Sequence, residues 1–269
     1  MYDTERPNPK KLKKELDFVF QKSILPHIGL FSGMEGNENI DSKKIKQLII
    51  DLSCSIEKLG DPVINRYRSI NQNVAEFWLL GFVRDKGGTN SAITITKFEQ
   101  KRPTVGIVLF PITSVVYSAI QSERAHELDF CESSIRTKRY FDKKTEIEKY
   151  IDDDRFLRIV KGNRPVNMKT ENYVKSIIDN HNGAIRLVNM ETPLNLIEIA
   201  KNRADIYVHL KPVLAWELGA FDLIVHSCGY MVTGQDGIMP IEYTSDRFKV
   251  GGFIAKNNFE YDTLDFKRY

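Results

Sequence analysis

Cysteine is scarce: Cys54, Cys131 and Cys228 are an odd count of three with no C-x-x-C, which excludes a disulfide framework and a clustered-thiolate zinc site. The five histidines are scattered, with no H-E-x-x-H or H-x-H pair, so imidazole chemistry has no anchor in the sequence. No apolar run approaches the ~18–20 residues of a membrane-spanning helix; the longest lie at 105–111 and 223–225. Charge of one sign is also missing. Lys and Arg number 39 against 36 Asp and Glu, and the net +3 is too weak a field to argue for nucleic acid. The opening residues Met1-Tyr2-Asp3-Thr4-Glu5-Arg6 are polar, so no secretory signal is expected. These absences leave the expectation of a soluble, cytoplasmic protein with neither nucleic-acid nor membrane partners. At 42% hydrophobic and 28% charged over 269 residues, the chain can build one large or two small packed domains. Basic clusters at 10–14 and 136–144 read as solvated faces.

What is present is a chain that changes period twice. Leu12, Leu16, Val19, Phe20 and Ile24 recur at near-helical spacing within 9–28. A second helix over 40–59 carries Ile45, Leu48, Ile49, Leu52 and Ile56 behind the cap chemistry of Asp41-Ser42, and Gly60-Asp61-Pro62 stops it. The runs 77–82, 92–98, 104–110 and 115–120 are then short and β-branched or aromatic, which predicts an antiparallel meander with hairpin loops at 101–103 and 111–113. Polar, charge-rich residues follow to about 154. Strand and helix alternate afterwards: strands at 156–160, 184–188, 205–210 and 230–232, and helices at 167–180, after Thr192-Pro193, and at 216–228 before Gly229. The expected class is α/β (α+β), with a first lobe over 1–125, a polar connection over 126–154 and an α/β second lobe over 155–269.

Two stretches are specific. One is Lys101-Arg102-Pro103-Thr104-Val105-Gly106-Ile107-Val108-Leu109-Phe110-Pro111 with Ser114-Val115-Val116-Tyr117 after it. The other runs from Trp216-Glu217-Leu218-Gly219-Ala220 through Cys228-Gly229-Tyr230 to Gly237, Pro240 and Tyr243-Thr244. Together they resemble the magnesium-dependent inositol monophosphatase superfamily, most of all its 3'(2'),5'-bisphosphate nucleotidase branch. The resemblance spans about 77–255 and implies a five-layer α-β-α-β-α sandwich. It also implies a phosphomonoesterase in which two or three Mg²⁺ ions are held by a Glu-Glu pair, a D-P-[IL]-D-G-T loop and the Asp of W-D-x-A-A-G. Such chemistry needs dense carboxylates, because Mg²⁺ takes hard oxygen ligands and paired ions must both activate water and stabilise the leaving oxygen.

The departures from that pattern are the informative part. In register with Trp78, Gly81 and Arg84 stand where the two loop aspartates belong, and only Glu76 precedes them. Glu217 keeps a carboxylate at the third position, one methylene longer, where it also suits the first turn of a helix. A shifted alignment through Asp85-Lys86-Gly87-Gly88-Thr89 would make Asp85 a metal ligand beside Glu217. The resemblance places phosphate and nucleoside contacts at Lys161-Gly162-Asn163-Arg164 and at Thr192, so Arg84, Lys161, Arg164 and Thr192 are the candidate ligand-binding residues. Solvated loop charges and a helix cap explain the same residues structurally.

No catalytic residue is assigned on this reading. The first expectation is a pseudophosphatase that binds a phosphorylated small molecule or a protein partner, a second copy of itself included as a homodimer, with no cofactor. The second is a divergent phosphomonoesterase acting on a nucleotide bisphosphate or inositol phosphate, with Mg²⁺ on Asp85, Glu217 and a carboxylate such as Glu76 or Asp61. The third is a structural subunit of a larger assembly.

Overall fold

A computed structural model of the chain describes residues 8–27, 42–65, 74–84, 91–110, 113, 115–131, 134–140, 156–161, 168–189 and 193–257. Helix α1 (Pro9–Phe18) starts at Asn8, whose side chain accepts from Lys10 N, and passes into a π-helical turn, Val19–Ile24. Helix α2 (Ser42–Ile56) runs into a short 3-10 turn that Gly60 closes at φ 94°. The buried faces of both cover one side of a seven-stranded sheet with the order β1 (Val63–Asn65), β2 (Glu76–Arg84), β3 (Ser91–Glu99), β4 (Arg102–Phe110), β5 (Val115–Ile120), β6 (His126–Cys131), β7 (Ser134–Tyr140). Leu12, Val19, Leu48, Leu52 and Ile56 pack there against Trp78, Leu80, Ile93, Ile95 and Ile107.

Two expectations change here. Residues 126–131 and 134–140, read as connection, form two antiparallel strands toward one edge of this sheet, with Glu127 opposite Arg139 and Leu128 opposite Lys138. An edge strand needs only backbone partners and tolerates charge, so its composition imitates a loop. Likewise the segment after Trp78, which the resemblance reads as a metal-binding loop, continues as strand to Arg84, itself opposite Ser91. With no proline in 79–84, every N–H there remains available to the ladder.

The second sheet has the order β12 (Tyr230–Thr233), β14 (Phe253–Asn257), β10 (Ile206–His209), β8 (Leu157–Lys161), β9 (Ile185–Asn189). β8 is parallel to both β9 and β10, while β14 lies antiparallel between β10 and β12. Between the sheets lie α4 (Leu196–Ala200) and α5 (Ala215–Ser227). Leu218, Ala220, Phe221, Leu223, Ile224 and Val225 of α5 are all buried, as a helix apolar on every side must be. Helix α3 (Met168–Asn180) covers the outer face of the second sheet through Val174 and Ile177. The layers are therefore α1/α2, sheet, α4/α5, sheet, α3: the expected five. A two-stranded ladder, β11 (Val213–Leu214) with β13 (Lys249–Val250), abuts the start of α5. Among the described residues no helix is long and apolar enough to cross a membrane.

Candidate functional site

Strand parity sorts the residues of β2 and β3. Phe77, Leu79, Val83, Ala92 and Phe98 face α5, and Gly81 and Thr94 sit on that side with them. The N-terminal turn of α5 lies directly over Gly81. A Cβ at that position would stand 2.4 Å from Trp216 Cβ and 2.5 Å from Trp216 Cδ1, so only glycine admits this approach. Thr94 locks the contact by donating its Oγ1–H to Trp216 O at 2.6 Å. Trp216 is held from the other side by the Phe248 ring, centroid to centroid 5.6 Å, and Ala215 N donates to Phe248 O at 2.6 Å. A longer side chain at position 81 would need the space that Trp216 fills.

Glu217 is the third residue of α5, and its Oε2 accepts from Leu214 N at 3.0 Å. Leu214 has no polar side chain to cap the helix, so the Glu217 carboxylate reaches back to satisfy the backbone instead. The two carboxylates offered as companions to Asp85 and Glu217 lie on the opposite face of the sheet. Asp61 Oδ2 is 3.1 Å and Glu76 Oε2 3.8 Å from Lys97 Nζ. Glu15 and Glu99 complete that group at 2.9 Å each, and Trp78 Nε1 donates to Asp61 at 3.3 Å. The Lys97 side chain is wholly buried. Burial works against its charge, yet hydrogen bonds to Glu99 and Glu15 outweigh it and hold the ammonium pKa above the ordinary lysine value. This correction follows from the period of two: Glu76 shares a face with Trp78, not with Gly81.

Lys161 ends β8 and is already engaged, 3.8 Å from Glu171 in the first turn of α3. Arg84 ends β2, and its side chain lies outside what the structure describes; Asp85, Arg164 and Thr192 lie outside the described residues altogether. Among the described residues, no group of three or more His, Cys, Asp or Glu side chains is arranged to hold a metal ion. The described residues thus do not fit the family's paired Mg²⁺ ions: position 81 offers no ligand, Trp216 occupies the space beside it, and Glu217 is bonded to its own helix.

The sequence profile of the inositol monophosphatase family matches residues 80–264, more than half of the chain. The chain belongs to the inositol monophosphatase family. Solved structures agree on the fold. CysQ from Bacteroides thetaiotaomicron, described as a bacterial member of that family, aligns with a TM-score of 0.65 at 17% identity, covering 93% of this chain and 94% of that one. An inositol monophosphatase from Anabaena gives 0.62 at 14% identity over 95% and 94%. The Thermotoga maritima IMPase gives 0.59 at 16% identity over 93% and 95%. No curated protein sequence matches the chain.

Sequence reasoning missed two features of this inositol monophosphatase-family chain. Lys97 alternates with Ile93 and Ile95, and a lysine on an apolar strand face is itself a signal that carboxylates must converge on it. The other is the tie between the β3–β4 hairpin and the segment after β12. Buried Asp222 of α5 accepts from Tyr243 OH at 3.0 Å and lies 3.5 Å from Arg102 Nη2, while Arg102 Nη1 donates to Ile241 O. Burial raises the Asp222 pKa, with Arg102 and Tyr243 opposing.

Proposed function

We propose that this chain is a phosphatase-fold protein that acts by binding a phosphorylated small molecule or a protein partner, and does so without hydrolysing phosphate through paired Mg²⁺ ions. The observation that supports this reading is the seating of Trp216 on Gly81, with 2.4 Å between Trp216 Cβ and the place a Cβ at 81 would take. The position that would supply the first loop carboxylate has no room for one. Fold kinship alone does not transfer chemistry.

Membership of the family favours a second reading, a divergent phosphomonoesterase with Mg²⁺ as its cofactor and Asp85 and Glu217 among the ligands. The same experiment separates the two. An ion at about 100 times its Kd would stabilise the native state by about 2.7 kcal/mol, enough for a clear rise in Tm. On the binding reading, millimolar Mg²⁺ leaves the Tm where EDTA leaves it, and no phosphate is released from adenosine 3',5'-bisphosphate or inositol monophosphates above a no-enzyme control. A Mg²⁺-dependent rise lost in Glu217→Gln, or turnover lost in Asp85→Asn, overturns it in favour of the enzyme.

A further inference from the structure

The carboxyl ends of β10 and β12 and the start of antiparallel β14 lie at one edge of the second sheet, and a groove of about 360 Å³ opens there. In layered α/β sheets, ligands bind beyond the carboxyl ends of strands, and about 300 Å³ is already the scale of a small-molecule site. Gly234 follows β12, Gly251 and Gly252 precede β14, and these glycines leave the groove's wall bare of side chains. Gly252 is there because its neighbour is backbone: a Cβ would come within 2.4 Å of Leu210 Cα.

The groove's charge is set by few groups. Arg247 and Lys249 line it, both exposed, and neither has a carboxylate partner among the described residues. Glu242 is the acid of the lining, and Lys101 Nζ pairs with it at 2.9 Å. His209, at the end of β10 and stacked on Phe253, adds no charge near neutrality. Burial first, and the charge of Lys211 second, lower its pKa to about 4. What remains is a fork and a point charge, with the polar side chains of Thr244 and Gln235 in the same lining, a combination suited to a phosphate ester.

The groove is also held in shape before any ligand arrives. Its floor residue Ile241 is buried and fixed by Arg102, and Tyr243 N donates to Lys101 O at 2.9 Å. Its wall, Lys249–Val250, is paired to Val213–Leu214 at the start of α5. A preformed site loses little entropy on binding.

We propose that this groove, and not the positions that the family resemblance points to, holds a phosphorylated small molecule of about nucleotide size, its phosphate on Arg247 and Lys249 and its polar body along Gln235 and Thr244. The inference rests on the binding reading above. It is metal-independent, and added salt weakens it because the contacts are charged and exposed. The test is titration calorimetry of the full chain in EDTA with adenosine 3',5'-bisphosphate, AMP and an inositol monophosphate, joined to amide spectra of protein labelled with 15N-glycine. Binding of one of these, weakened by about tenfold or more in Arg247→Ala/Lys249→Ala, is expected, since charge-assisted contacts are lost. The Gly234, Gly251 and Gly252 amides should shift on titration. Both side chains are exposed, so the variant should fold as the parent does. Binding retained in that variant with those glycines unmoved overturns the groove and leaves the binding reading standing. No heat from any probe overturns the groove and the small-molecule reading together.

Discussion

The two faces of one strand pair, β2 and β3, treat carboxylates in opposite ways. On the outer face four of them, Glu15, Asp61, Glu76 and Glu99, gather within 4 Å of the buried Lys97 ammonium. On the inner face, where the family resemblance expects such a gathering around metal ions, Gly81 and Thr94 meet the backbone and Cβ of Trp216. The number of acids near a motif therefore says little about a metal site until the strand period has assigned each to a face. Glu76 is five residues from Gly81 and still belongs to the other side of the sheet.

The largest effect that can break this comparison is removal of the cation on the outer face. Lys97→Met would leave four carboxylates converging with only the exposed Lys11 beside two of them, 3.9 Å from Glu15 and 3.5 Å from Glu76. Removing one partner of a buried ion pair costs about 3–5 kcal/mol, and the cost should sit at the upper end here because several acids lose the same partner. Urea unfolding measures it. A loss under about 1 kcal/mol would mean that the acids are hydrated and the outer cluster is not a buried one.

The inner face is sharpened by Gly81→Ala. A Cβ forced against Trp216 is overpacking, which costs about 1–3 kcal/mol. The cost should shrink in the Trp216→Gly background, where the obstructing Cβ, Cγ and Cδ1 are all gone, and the difference between the two backgrounds is the coupling energy. Equal costs in both backgrounds would place the strain elsewhere and remove the main support for a closed inner face.

Much of this architecture is legible in sequence because burial and period act together. The meander 77–120 and the apolar 216–228 helix announce themselves through runs with no polar alternative. The end of the chain does not. β14 sits in the middle of the second sheet, yet the sequence gives no strand beyond 232, because Phe253-Ile254-Ala255-Lys256-Asn257 is short and follows two glycines. β7 is hidden by edge-strand polarity, and β6 beside it by its charged residues. At the candidate site, the departure at position 81 could be read, but what fills its space could not. A glycine in a strand states that something approaches closely and does not say whether that is a ligand, a backbone or, as here, a tryptophan.

The smallest expected effect concerns Glu217, the acid in the first turn of α5. If Glu217 serves its own helix, what matters is an acceptor oxygen within reach of Leu214 N, not a negative charge. Glu217→Gln keeps that acceptor and should cost only a few tenths of a kcal/mol, the share due to the helix dipole. Glu217→Ala removes it and should cost about 1 kcal/mol, as loss of a cap does. Thermal or urea unfolding of the two variants, each with EDTA and with Mg²⁺, gives four numbers. The helix role requires Gln to resemble the parent, Ala to fall below it, and both differences to ignore the metal. If Gln and Ala were equally impaired, and only in Mg²⁺, the charge would be what counts, and Glu217 would be a ligand after all. The contrast between the two faces would then be one of which cation is held, a lysine on one side and a magnesium ion on the other.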